Sequence, residues 1–154
     1  MDSIFVTAAL DSTYKVLSTM AQMEPEAGTP VLKDSDQAPG EVTGIMDMVG
    51  KQAKGALTLS FTAPVIKAIA ERMLGEKLNS IDDTAKDLTG EIVNMVVGGA
   101  KGILSEKGYD FDMSTPNVFT GKTPSVKPAY PGQTVTLPFH TDAGDFYLEF
   151  TYAD

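Results

Sequence analysis

The sequence predicts an α+β fold, an antiparallel sheet with two long helices on one face. Three observations carry this. Residues 2–22 and 80–108 are long segments whose apolar residues recur at three and four. Residues 41–62 and 134–152 are pairs of alternating apolar and polar segments around turn residues, the pattern of β-hairpins. The order repeats: each half runs long helix, Pro-containing extended piece, hairpin, and the helix at 64–75 bridges them. Such an echo reads as a pseudo-repeat of helix plus strands. With 154 residues, the whole chain, 1–154, is expected to fold as a single domain without disulfide or metal support.

In the first helix Phe5, Val6, Ala9, Leu10, Val16, Leu17 and Met20 supply the apolar side. Residues 23–40 are rich in Pro, Gly and acids and read as loop, with a short strand at 30–33. Residues 41–49 and 54–62 form the first hairpin. In its second arm Leu57, Leu59 and Phe61 alternate with Ala56, Thr58, Ser60 and Thr62, so one face is expected to be buried and the other can be wet. Pro64 suits the first turn of a helix, which Gly75 ends. Ser80 with Asp83 reads as a capping box for the long helix that stops at Gly108. Residues 109–114 and 115–119 look extended. Pro124, Pro128 and Pro131 limit residues 123–133 to irregular or edge structure. The final hairpin turns at Asp142, Ala143 and Gly144.

Composition excludes several chemistries. The chain has no Cys and a single His, His140, so thiolate sites, zinc and Ser-His-Asp catalysis have almost nothing to work with. A net charge of −9 and no basic block argue against nucleic acid and anionic membranes as partners. The N-terminus shows neither a signal nor a transit peptide, and no apolar run could span a bilayer, which makes the cytoplasm the expected location. Gly98, Gly99 and Gly102 fall within a helix with no Gly-Lys-Ser/Thr after them, so they are not a phosphate-binding loop; close packing of small residues is the expected reason for them. No intrinsic metal site is expected.

The long second helix carries an unusual face. Ile81, Ala85, Leu88, Ile92, Met95, Val96, Gly99, Ala100 and Ile103 make a broad apolar arc. Opposite it stand Asp87, Glu91, Asn94 and Gly98, at i, i+4, i+7 and i+11, within about 60° of one another. A solvated face would gain from acid–base pairs at i,i+4. Here two acids repel, Asn is a mediocre helix former, and an interior Gly costs up to ~1 kcal/mol relative to Ala. A face that is locally unfavourable is a candidate for function.

The spacing of that stripe resembles the CheC/CheX/FliY family of chemotaxis phosphatases, whose signature is Asp or Ser, three residues, Glu, two residues, Asn, twenty-one residues, Pro. Asp87, Glu91, Asn94 and Pro116 fit it, in DLTGEIVN, then residues 95–115, then Pro116. The layout resembles the CheX branch over nearly the full length. There is one signature rather than the two usual in CheC, since the positions around Asp11, Lys15 and Ser18 lack the Glu-x-x-Asn pair.

The resemblance implies a CheC-like fold and a cytoplasmic homodimer joined through a continuous sheet. It implies a protein phosphatase that hydrolyses the aspartyl phosphate of a phosphorylated CheY-type response regulator, with Mg²⁺ supplied by the regulator and no cofactor of its own. Glu91 and Asn94 would be catalytic. Asn94 would orient a water in line with phosphorus, as a Gln does in GTPases, and Glu91 would pair with a lysine of the regulator. Asp87 would contact the rim, Gly98 would give clearance for a partner backbone, and Pro116 would shape the strand beside the helix. The alternative is a non-catalytic CheX-like module that docks a regulator or a flagellar switch.

Overall fold

The computed structural model describes residues 2–33, 37–51, 54–121 and 133–153. The elements run α1 (Asp2–Ala21), β1 (Glu26–Ala27), β2 (Val31–Leu32), β3 (Val42–Gly50), β4 (Lys54–Phe61), α2 (Ala63–Leu74), α3 (Asp83–Glu106), β5 (Phe111–Met113), β6 (Asn117–Thr120), β7 (Gln133–Thr141) and β8 (Gly144–Ala153). Every element expected from the sequence is present; β1, only two residues long, was not foreseen. The segment 123–132, expected to be irregular or edge, lies outside the described residues.

Among the described residues the strands form one antiparallel sheet in the order β1-β7-β8-β4-β3-β5, with β2 also on β7 and β6 also on β3. The two hairpins, β3–β4 and β7–β8, meet at the centre through β4 and β8. The short strands cross over: β1 and β2 of the first half pair with the second hairpin, and β5 and β6 of the second half pair with the first. The repeat of helix plus strands is thus real and interlocked.

Both edges carry the same irregularity. Between the pairs Met48↔Met113 and Ile45↔Asn117, the three residues Ser114, Thr115 and Pro116 face only Met46 and Asp47. Between Ala27↔Phe139 and Val31↔Thr136, the three residues Gly28, Thr29 and Pro30 face only Leu137 and Pro138. Each is a one-residue bulge, where a Pro without an N–H breaks the ladder at no cost.

The core lies between the sheet and the helices. Phe5, Leu17, Leu57, Leu59, Phe61, Ile66, Ile69, Ile92, Val96, Phe146 and Leu148 are all buried in one cluster. In α1, Met20 is 43% exposed rather than part of the apolar side, and Ala8, Ser12 and Thr13 are buried in its place. The small residues are there because α1 packs closely along α3, where a long side chain would hold the helices apart. In α3 the buried arc takes in Thr89, Gly90, Val93, Val97 and Leu104, while Ile81, Met95 and Ile103 are half-buried and Gly99 is exposed. It is broader than expected because α3 touches β3 below, α1 on one flank and β6 on the other.

The opposite face of the sheet is covered at β4 as well, where the alternation allows a wet face. Ala56, Thr58 and Ser60 are all buried. Ala38, from the stretch read as loop, closes over Ile45 and Ala56 together with Phe119, and the Gly40 N–H donates to Ser60 Oγ at 2.8 Å. Nearby, Lys33 Nζ meets Glu149 Oε1 at 2.7 Å, and Thr136 donates to the other oxygen of that buried carboxylate. Ser60, Thr136 and Glu149 on this face thus have internal polar partners.

Helix ends differ in detail from expectation. The N-cap of α3 is Asp82, not Ser80: its backbone is extended and its side chain accepts from Ala85 N at 3.1 Å, leaving Asp83 in the first turn to favour the helix dipole. The Ala63 N–H at the start of α2 donates to Glu41 Oε2 at 2.7 Å, so a residue distant in sequence supplies that cap. Arg72 of α2 forks onto Asp142 in the β7–β8 turn, and this hydrogen bond lowers the Asp142 pKa below the usual carboxylate value. At the end of α1, Gln22 is left-handed, with φ 53°, and the Met23 N–H closes onto Leu17 O at 3.1 Å.

That position is one where Gly is favoured, since an L side chain crowds the following carbonyl. Gln22→Gly is expected to stabilise the fold by about 0.5–1 kcal/mol. A urea midpoint raised at unchanged slope would show it; an unchanged or lower midpoint would show that the Gln22 side chain repays its backbone strain.

Candidate functional site

The middle of α3 is held on three sides. Below it, Gly44 of β3 makes the close approach: a Cβ at position 44 would stand 2.8 Å from Val93 Cγ2 and 3.3 Å from Thr89 Cγ2. Both are β-branched side chains with little rotamer freedom, so the absence of a side chain at Gly44 sets how deeply the helix seats. Thr89 is fully buried, with its hydroxyl donated to Ala85 O at 2.8 Å. On one flank Ser12 of α1 donates its hydroxyl to Val96 O at 2.6 Å, and a Cβ at Gly99 would overlap the same Ser12 oxygen. On the other flank the bulge aims Pro116 and Val118 at Gly90, where a Cβ would lie 3.9 Å from Pro116 Cγ and 3.4 Å from Val118 Cγ2.

With these contacts fixed, the rotation of the helix is fixed, and the stripe opposite faces outward. Asp87, Glu91 and Asn94 are exposed and Gly98 is half-buried. The side chains of Asp87, Glu91 and Asn94 have no hydrogen-bond or ion-pair partner among the described residues. A Cβ at Gly98 would meet nothing within 4 Å, and the same holds for Gly102. Close packing, the expected reason for the three glycines, therefore holds for Gly99 alone.

The five residues singled out from the sequence are thus brought together. Asp87, Glu91, Asn94 and Gly98 share one edge of α3, and Pro116 packs at Gly90, beside Glu91. Sequence reasoning missed Ser12 and Gly44, which touch α3 from other elements. Nothing in the spacing along α3 identifies them.

Chemically the edge offers a carboxylate and an uncharged amide about one turn apart on a rigid rod. Neither the Asp87 nor the Glu91 carboxylate has a partner among the described residues that would activate it as a nucleophile or base. Among the described residues no three His, Asp or Glu side chains converge as a metal site would need, and no helix is long and apolar enough to cross a membrane. An arrangement of this kind can orient a molecule or a partner.

The family model for the chemotaxis phosphatase CheX matches residues 42–140. The chain belongs to the CheX family. It is 45% identical to a CheC-like superfamily protein from Shewanella sp. PV-4, whose crystal structure superposes with a TM-score of 0.91 over 100% of both chains. The CheY-P phosphatase CheX of Thermotoga maritima is 27% identical over 128 residues, 82% of each chain. The fold also matches CheX of Borrelia burgdorferi in its complex with CheY, BeF₃ and Mg²⁺, at 21% identity and a TM-score of 0.79 over 97% of this chain and 98% of that one. The family match spans β3 through most of β7, and so includes the whole stripe and Pro116.

The clamp on α3 is testable by a double-mutant cycle. Gly99→Ala should destabilise by about 1–3 kcal/mol through overpacking, and Ser12→Ala by about 1 kcal/mol through loss of the hydrogen bond. Because removing the hydroxyl also removes most of the overlap, the double variant should lose at least about 0.5 kcal/mol less than the sum. Strictly additive losses would show that Ser12 and Gly99 do not set the helix spacing.

Proposed function

We propose that this chain hydrolyses the aspartyl phosphate of a CheY-type response regulator and so terminates a chemotaxis signal. The observation that carries the reading is the outward Glu91–Asn94 pair on a helix whose rotation is fixed from behind. Membership of the CheX family and the naming of the Thermotoga maritima relative as a CheY-P phosphatase support it.

The division of labour follows from what the edge lacks. The regulator owns the phosphoaspartate, and Mg²⁺ would be the regulator's, as the Borrelia burgdorferi complex with CheY, BeF₃ and Mg²⁺ suggests. Asn94 enters the regulator's site, and its amide oxygen accepts a hydrogen bond from a water, holding it in line with phosphorus. That water attacks, the P–O bond to the aspartyl carboxylate breaks, the carboxylate departs on the regulator, and the water's proton leaves with inorganic phosphate or solvent. Orientation alone can supply several kcal/mol of barrier reduction. Glu91, one turn away, pairs with a cationic side chain of the regulator and fixes the register of docking. Asp87 lies further out on the same edge and acts as a rim contact.

Gly98 leaves room for the partner's backbone, which is why no internal contact explains it. Pro116 braces the helix at Gly90 beside Glu91. We place the reaction in the cytoplasm and read the working form as a homodimer joined edge to edge through the sheet. The exposed Val31 and Leu32 of β2 mark one such edge. A single domain suffices for both tasks.

Following the decay of phosphorylated regulator with and without this protein separates catalysis from mere docking. Asn94→Ala is expected to lose at least about a hundredfold in rate while still binding BeF₃-activated regulator; retention of the full rate would refute water orientation. Gly98→Ala should stabilise the isolated protein by up to ~1 kcal/mol, because the space is empty and Ala is the better helix former. The same variant should bind activated regulator at least several-fold more weakly, and a variant more stable with unchanged affinity would remove Gly98 from the docking face.

A further inference from the structure

The docking face poses an electrostatic problem. The chain carries a net charge of −9, and the outward edge of α3 opens with Asp83, Asp87 and Glu91. A phosphorylated regulator is anionic around its site, since carboxylates hold its Mg²⁺ and the phosphoryl group adds charge. Like charges across an interface slow encounter and cost affinity. Some cation on this face has to offset them.

Lys101 is the lysine of α3 placed on this edge. It stands seven residues after Asn94, within about 20° of it around the helix and about 10 Å along the axis. It is half-buried and has no ion-pair or hydrogen-bond partner among the described residues. By contrast Lys33 and Arg72 are engaged with Glu149 and Asp142, and Lys67 reaches Asn79 O. Helical side chains lean toward the N-terminus, so the Lys101 stem is directed back along the edge toward Asn94. The residue it passes is Gly98, where nothing lies within 4 Å, and Gly102 beside it is equally open. The edge therefore runs from carboxylates, through a neutral amide and a gap, to a free ammonium group.

We infer that Lys101 is a specificity-determining contact, pairing with a carboxylate on the regulator's surface next to the phosphorylated pocket. The inference rests on the proposed function of the same edge. Glu91 and Lys101 then read two opposite charges on the partner about 15 Å apart along the helix, which fixes the direction in which α3 lies across the regulator. Lys101 is not a catalytic residue: it touches neither phosphorus nor the attacking water.

The test is the steady-state dephosphorylation of a phosphorylated CheY-type regulator by Lys101→Glu, compared with Lys107→Glu. Lys107 is exposed at the C-cap of the same helix and lies about 140° round the axis from Asn94, so both variants change net charge equally. Lys101→Glu is expected to raise KM about tenfold or more at low ionic strength with kcat within about twofold. The difference should fall away toward 1 M salt, where the screening length is about 3 Å. Lys107→Glu should leave KM within about twofold. The carboxylate is distinguished from the phosphoryl group by affinity for the unphosphorylated regulator, which Lys101→Glu should weaken by a similar factor. Equal effects of the two variants, no effect of Lys101→Glu, or an effect confined to the phosphorylated regulator would overturn the inference. Asn94→Ala serves as the separate control: if it keeps full activity the proposed function fails, whereas an inactive Asn94→Ala with an unaffected Lys101→Glu sinks only the role of Lys101.

Discussion

Gly44 has no side chain at the point where α3 crosses β3, and a Cβ there would stand 2.8 Å from Val93 Cγ2. Because Val93 and Thr89 occupy that space, the helix can seat on the sheet in only one rotation, and every residue a half-turn away is assigned to solvent. Ser12 pins the height of the helix through Val96 O, and Pro116 braces it at Gly90. Asn94 lies between these supports. The water-orienting role proposed for Asn94 needs a position fixed to a fraction of an ångström, and packing on the far side of the rod provides such support.

The interlocked repeat explains how so small a chain holds the rod still. Each half lends its short strands to the hairpin of the other, so the sheet beneath α3 is built from both halves. The two Thr-Pro bulges, at residues 29–30 and 115–116, are related features at opposite edges. Yet Pro116 is half-buried against α3 while Pro30 is exposed. Only the second bulge braces a helix edge that carries Glu and Asn, in keeping with a single site on a duplicated frame.

The order of elements and the stripe itself were legible in the sequence because both are local periodic patterns. Spacing of i, i+4, i+7 and i+11 puts Asp87, Glu91, Asn94 and Gly98 on one edge whatever the tertiary structure. What was not legible depends on contacts between distant segments. Ser12 and Gly44 look like ordinary residues of a helix and a strand until α3 is laid beside them. The second buried face of β4 was hidden for the same reason: Ala56, Thr58 and Ser60 allow a wet face, and among the described residues Ala38, Gly40 and Phe119 close over it. Asp82 rather than Ser80 caps α3 because the Asp82 side chain reaches Ala85 N, a contact set by where the helix begins. The repeated Thr-Pro, at residues 29–30 and 115–116, is the sequence signal of the matched bulges.

We propose that the Asp87–Gly98 edge of α3 is the surface that enters the regulator's site. The chain has no cysteine, so single cysteines report position without background. Cysteines placed at Asp87 and Gly98 on the edge, and at Asp11 and Lys15 on the exposed side of α1, would be labelled with a maleimide with and without BeF₃-activated regulator. Slowed labelling at Asp87 and Gly98, with Asp11 and Lys15 unaffected, is the predicted result; unchanged labelling along α3, or equal protection on α1, would contradict it.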